Sequence, residues 1–210
     1  MITKRLTRPG SRERTARRLL DAAERQFARR GLVATSVEDI AAAAGYSRGA
    51  FYSNFKGKED LFLEVLRRDQ ERTGTRFGGL LNEALPLEQY HARLGQLYSS
   101  LFGNPNSFLT WTEGRMLSAR DARFRAKLAA LVLQRRDLAV KLIDDMYARA
   151  GGTPNLPLER MAMGLISLIE GVRLLVASCP DEMTHDGAEA ILRLFVDSAV
   201  SQAGLATGNT

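Results

Sequence analysis

Residues 35–56, TSVEDIAAAAGYSRGAFYSNFK, constrain the fold more than any other stretch of the chain. The run begins at a helix-capping signal, either Ser36 with Asp39 or Thr35 with Glu38, where a side-chain oxygen can accept from a free backbone N–H. Val37, Ile40, Ala41 and Ala44 then recur at i, i+3, i+4 and i+7, one apolar stripe on a short helix. Gly45 supplies the left-handed residue that ends it. Ser47 caps a second helix on which only Ala50, Phe51 and Phe55 are apolar enough to reach a core. Ser47, Arg48, Gly49, Tyr52, Ser53, Asn54 and Lys56 are left facing outward.

A short second helix rich in small, hydroxyl and amide residues, with a basic residue at each end, fits a helix-turn-helix. In that motif the second helix lies in the DNA major groove with its N-terminal residues at the base edges. Gly49 and Ala50 are small enough to let the backbone approach the groove. The competing reading is an ordinary helical hairpin with a solvated face.

Charge placement favours the first reading. The net charge is +6, but residues 1–56 hold 12 Lys/Arg against 5 Asp/Glu, and residues 57–210 hold 18 against 19. The positive excess belongs to the segment with the helix pair, the footprint of a phosphate-binding surface. The single Cys179 excludes an internal disulfide and suits a reducing cytoplasm. Charges interrupt every apolar run long enough to cross a bilayer, so no membrane partner is expected. No secretory signal opens the chain.

Taken in order, residues 1–10 read as a flexible basic arm, with Lys4, Arg5 and Arg8 before Pro9. Residues 11–58 read as the DNA-binding domain. Its first helix opens at Ser11, buries Leu19, Leu20, Ala23, Phe27 and Ala28, and closes at Gly31 after Arg29 and Arg30. Residues 59–203 read as a second all-α domain. A fourth helix begins after KGKED and runs to residue 85, where Pro86 stops it. Further helices are expected over 87–102, 107–117, 119–150, 157–178 and 184–203, with a disordered tail over 204–210. The helix over 157–178 is apolar on nearly all sides, so one side needs a second subunit to cover it. A symmetric dimer seam is expected there and on the last helix, through Met161, Gly164, Leu168, Gly171, Leu175, Ile191, Phe195 and Ala199.

The run from residue 14 to 66, with the helix ending FARRG and the segment TSVEDIAAAAGYSRGAFYSNFKGKEDLF, resembles the DNA-binding domain of TetR-type transcriptional regulators. The resemblance covers about a quarter of the chain, and beyond it the likeness is one of all-helical architecture. It implies a homodimeric repressor on a near-palindromic duplex operator, released by a small-molecule effector held in the second domain. It also implies residue roles. Thr35 and Tyr52 look like phosphate anchors, and Lys56 like the phosphate-contacting residue after the recognition helix. Ser47, Arg48, Gly49 and Ala50 look like the groove-facing start of that helix. Ser53 and Asn54 stand where many relatives carry larger aromatic or imidazole side chains, and Gly57 where many carry a capping serine. In such regulators the middle helices surround the ligand, which points to Tyr98, Phe102, Phe108, Trp111, Glu113, Met116, Phe124 and Met146. Trp111 with Glu113 would suit a cationic or a polar-apolar compound.

Two half-sites read by a dimer lie about 34 Å apart or a multiple of it. Neutralising about eight phosphates would give a salt slope near −7. Arg48 is the one side chain placed for a bidentate contact to guanine, worth about 1–3 kcal/mol of discrimination. Other functions fit less well. His91 and His185 are isolated, and no metal spacing, phosphate-cradling loop or nucleophile elbow occurs, so neither catalysis nor a cofactor is expected. A regulator that needs a co-repressor, an activator, and a helical interaction protein with a basic end are the remaining alternatives.

Overall fold

A computed structural model describes residues 8–102 and 104–205. Among these the chain forms nine helices and no strand. They are α1 (Arg8–Arg30), α2 (Val37–Ala44), α3 (Arg48–Tyr52), α4 (Lys58–Leu80), α5 (Leu87–Phe102), α6 (Pro105–Arg120), α7 (Ala122–Ala150), α8 (Leu158–Ser178) and α9 (His185–Leu205). The all-α class expected from the sequence is what the chain adopts.

The helices fall into two compact units, residues 1–69 with 106–128, and residues 70–105 with 129–210. The division therefore lies within α4 and α7, and α6 joins the N-terminal helices, whereas the sequence places a single boundary at 58/59. The reason is side-chain burial in the first turns of α4. Leu61, Phe62 and Leu66 are fully buried. Phe62 meets Phe27 of α1 edge-on with ring centroids 5.1 Å apart, and lies 6.2 Å from Phe124 of α7. Gly114 of α6 passes so close to this cluster that a Cβ there would sit 3.0 Å from Leu66 Cδ1. Asp69 accepts hydrogen bonds from Trp111 Nε1 at 2.7 Å and Ser107 Oγ at 2.9 Å, which fixes α6 against α4 within this unit.

The second unit has its own core, built around Tyr90, Leu94, Leu142, Ile143, Leu165 and Leu192. Tyr90 is buried and donates to the Leu142 carbonyl at 3.3 Å. Arg149 stacks its guanidinium 4.6 Å from the Tyr90 ring centre and donates to the carbonyls of Leu85 and Glu83. That one side chain secures the connection between α4 and α5.

Several boundaries differ from the sequence reading. Residues 8–10 open α1 instead of lying in the arm; residues 1–7 are outside the described residues. α4 ends at Leu80, not 85, because Gly78 and Gly79 give way to tighter turn bonds from Leu81 and Asn82. α7 starts at Ala122 because the Asp121 carboxylate accepts from the backbone N–H of Arg123 and Phe124. Those two bonds hold the Asp121 carboxyl below its ordinary pKa. α9 runs through Leu205, so the expected tail reduces to 206–210, outside the described residues.

α8 corrects one expectation. By length and composition it is apolar enough to cross a membrane, with a mean hydropathy of 1.6, because Glu170 and Arg173 alone interrupt its second half. Within the single chain it is buried on one side only. Ala162, Leu165, Ile166 and Val172 face the core of the second unit, and Glu170 pairs with Arg135 at 3.6 Å. Met163, Leu174 and Leu175 remain exposed.

Candidate nucleic-acid interface

The turn between α1 and α2 sets the position of everything after it. Gly31 takes φ +75° and ends α1. Lys58 Nζ, from the start of α4, donates to the carbonyls of Leu32 at 2.7 Å and Thr35 at 2.8 Å. Glu113 of α6 accepts from the Leu32 N–H at 2.9 Å. Neither residue stands out in the sequence as part of this motif. The only signal for Lys58 is the repeated lysine of KGKED, and for Glu113 there is none.

Ser36 is the N-cap of α2. Its hydroxyl accepts from the Asp39 N–H and the Asp39 carboxylate accepts from the Ser36 N–H, both at 3.0 Å. This is the reciprocal capping box, and it resolves the two options open in the sequence in favour of Ser36. These bonds, the backbone one foremost, hold the Asp39 carboxyl below its ordinary pKa, with Arg30 adding to the effect from 3.2 Å. Gly45, at φ 75°, closes α2, where its N–H bonds Ala42 and the Tyr46 N–H bonds Ala41. That pair of bonds is a Schellman-type stop.

α3 begins at Ser47, whose hydroxyl accepts from the Ala50 N–H at 3.3 Å. Phe51 is fully buried, while Ala50 and Phe55 are half-buried. Ser47, Arg48, Gly49, Tyr52, Ser53 and Lys56 are exposed. Arg48 reaches back to Glu38 of α2 at 3.0 Å and lies 5.5 Å from the Tyr52 ring centre. The Tyr52 hydroxyl, and then Glu38, raise the Arg48 pKa, so this guanidinium stays charged. Ser53 and Asn54 turn their side chains onto their own helix. Ser53 Oγ donates to the Gly49 carbonyl at 2.9 Å and Asn54 Nδ2 to that of Ala50 at 2.8 Å. Arg12 of α1 donates to the Ser53 carbonyl at 3.0 Å, closing the end of α3. The Lys56 N–H bonds the Asp60 carboxylate at 3.2 Å, which leaves the lysine side chain exposed. Near the turn, Tyr46 has its pKa lowered by a hydrogen bond to Thr15, helped by Arg18 and Arg14.

Thr35 does not keep its expected role through its side chain. It is 1 % exposed, and its hydroxyl donates to the Gly31 carbonyl at 2.6 Å. That hydroxyl belongs to the α1–α2 turn and is closed to a phosphate.

The eight residues expected around a ligand divide between the two units. Phe108, Trp111, Glu113, Met116 and Phe124 belong to the first, and Tyr98, Phe102 and Met146 to the second. Within the first, Trp111 is bonded to Asp69, Glu113 to Leu32, and Met116 is 56 % exposed. Trp111 and Glu113 stand two apart on α6, a spacing that puts them on different sides of a helix. In the second, Tyr98 and Met146 line one small apolar cavity together with Leu142 and Leu165.

The expected seam residues separate by helix face. Gly164, Gly171 and Leu175 are on the exposed side of α8 with Met163 and Leu174, and Leu194 of α9 is 70 % exposed. Met161, Leu168 and Ile191 turn inward onto the core of the second unit, and Phe195 lines its small cavity. The burial stripe of α8 runs through Ala162, Leu165 and Ile166, beside the partly buried Met161 and Leu168. The Ala199 side chain is outside the described residues.

A capped helix, a glycine stop and a short second helix with an exposed basic face define a helix-turn-helix domain. Residues 19–65 match the family model of the bacterial regulatory proteins of the tetR family, and this N-terminal domain belongs to that family. Its curated relatives include the HTH-type transcriptional regulator AcrR of Shigella flexneri, 42% identical over 62 residues, 30% of this chain and 29% of that protein. The HTH-type transcriptional repressor KstR2 of Rhodococcus jostii is 53% identical over 49 residues, 23% of this chain and 24% of that one. The aligned stretch thus spans about a third or less of these relatives' length. Solved structures share the fold over far more of the chain. Salmonella enterica GusR aligns with a TM-score of 0.73 at 23% identity, covering 93% of this chain and 98% of that one. A transcriptional regulator from Saccharomonospora viridis in complex with choline aligns with 0.71 at 22% identity, covering 87% and 95%.

Proposed function

We propose that this chain is a sequence-specific DNA-binding transcriptional regulator that works in the cytoplasm as a homodimeric repressor on a palindromic duplex operator. The observation that carries the reading is the outward face of α3, where Arg48, Gly49, Tyr52 and Lys56 are exposed on a helix capped at Ser47 and anchored by the buried Phe51. A helix held in that way can enter a major groove without unfolding its support. Arg48 is the base-reading group, Tyr52 and Lys56 are phosphate contacts, and Ser47, Gly49 and Ala50 allow close approach. Ser53 and Asn54, bonded back to their helix, contribute through their remaining polar atoms at the groove edge.

The dimer is supported by the exposed apolar residues Met163, Leu174, Leu175 and Leu194, beside the small Gly164 and Gly171. A patch of that kind on a helix pair is what a twofold seam buries. A small-molecule effector in the second unit is supported by its cavities and by a structural neighbour solved with choline. The effector acts by binding one of two conformations better than the other, and the sign of that preference separates induction from co-repression.

The test is selection of binding sites from a random duplex library at physiological salt. Enrichment of one inverted repeat with half-sites about 34 Å apart, or a multiple, is expected. Salt-dependent binding with no enriched sequence would reduce the basic face to an electrostatic patch and leave a helical interaction protein as the better reading.

A further inference from the structure

The second unit contains a cavity of about 480 Å³ walled by α5 and α9. That volume lies in the range of small-molecule sites. Its floor is apolar, with Tyr98 and Leu192 buried. Its α9 wall carries Glu189, Arg193 and Asp197. At i, i+4 and i+8 the guanidinium is spaced to pair with either carboxylate. None of the three makes an ion pair or hydrogen bond among the described residues. On the α5 wall stands His91, whose Nε2 is buried with no hydrogen-bond partner among the described residues.

We propose that this α5–α9 cavity binds a protonated organic amine with an apolar body. The charge balance selects the sign. Two carboxylates face one guanidinium, so an anion would meet Arg193 with a carboxylate on each side of it. An ammonium donates N–H bonds to Glu189 or to Asp197, on either side of Arg193. The apolar body lies on Tyr98 and Leu192. As the effector site of a regulator, the cavity rests on the function proposed above; as an amine site it stands on its own geometry.

Calorimetric titration of the full-length protein with phenethylamine, 3-phenylpropionate and 2-phenylethanol tests the site. Saturable binding of the amine is expected, with the acid and the alcohol each at least about tenfold weaker, the cost of a lost charge-assisted bond. The double variant Glu189→Gln/Asp197→Asn should bind the amine about tenfold more weakly. Both positions are on the cavity rim, so the fold should be retained, and the His91 imidazole resonances should shift on titration in the wild type. No amine binding, a preference for the acid, or an affinity unchanged in the variant would overturn the proposal. Site selection with the same protein keeps the two readings apart: amine binding without any enriched duplex sequence would remove the regulator and leave the amine site.

Discussion

Glu113 Oε2 accepts from the Leu32 backbone N–H at 2.9 Å, so α6 holds the turn that launches the helix-turn-helix. The Leu32 N–H lies just past the left-handed Gly31, beyond the reach of α1's own carbonyls. A Cβ at Gly31 would crowd Glu113 Oε1, and the left-handed backbone at φ +75° independently favours glycine there.

Glu113→Ala should cost about 1–3 kcal/mol of stability, the value of a charge-assisted bond whose donor is left open. Glu113→Gln keeps an acceptor and should cost less. Urea unfolding of both variants checks this, and equal losses would point to packing in place of the hydrogen bond.

Lys56→Ala and Thr35→Val should separate a phosphate-binding side chain from a structural hydroxyl. The lysine variant should weaken binding to all duplexes and make the salt slope shallower by about 0.9, the value of one neutralised phosphate. The threonine variant should lower stability by about 1 kcal/mol and leave the slope of the folded protein unchanged. Salt titrations of DNA binding read both.

Arg48→Ala should relax preference at one base position by about 1–3 kcal/mol and leave the rest of the site intact. Glu38→Gln frees the guanidinium from its 3.0 Å partner and should tighten binding to all duplexes. An unchanged preference in the first variant would remove Arg48 from base reading.

Leu174→Glu should give monomers by light scattering, because it places a charge in the exposed apolar face of α8. Retained dimers would place the seam elsewhere. Loss of operator binding with an intact circular dichroism spectrum would connect the seam to two-site recognition.

Asp39 should shape the acid limb of stability. Its folded pKa lies below the ordinary 3.8, so its contribution is complete above that value and is lost as pH falls through the lower, folded one. Asp39→Asn should remove that part of the limb, and acid unfolding followed by circular dichroism compares the two proteins.

The sequence by itself determined the local elements of the helix-turn-helix. Ser36, Asp39, Gly45 and Ser47 act on backbone atoms within three or four residues, so their roles follow from spacing alone. The apolar stripe and the buried Phe51 were legible for the same reason. What only the tertiary structure decided are partnerships across long separations. Lys58 with Leu32, Glu113 with Leu32 and Trp111 with Asp69 join positions 26, 81 and 42 residues apart, and no periodicity encodes them. Long-range bonds of this kind engage Trp111 and Glu113, whereas the Thr35 hydroxyl is engaged locally by the Gly31 carbonyl four residues before it. On α8, apolar residues surround the helix, so composition gave no direction; packing against its own unit chose which face is buried and which is exposed.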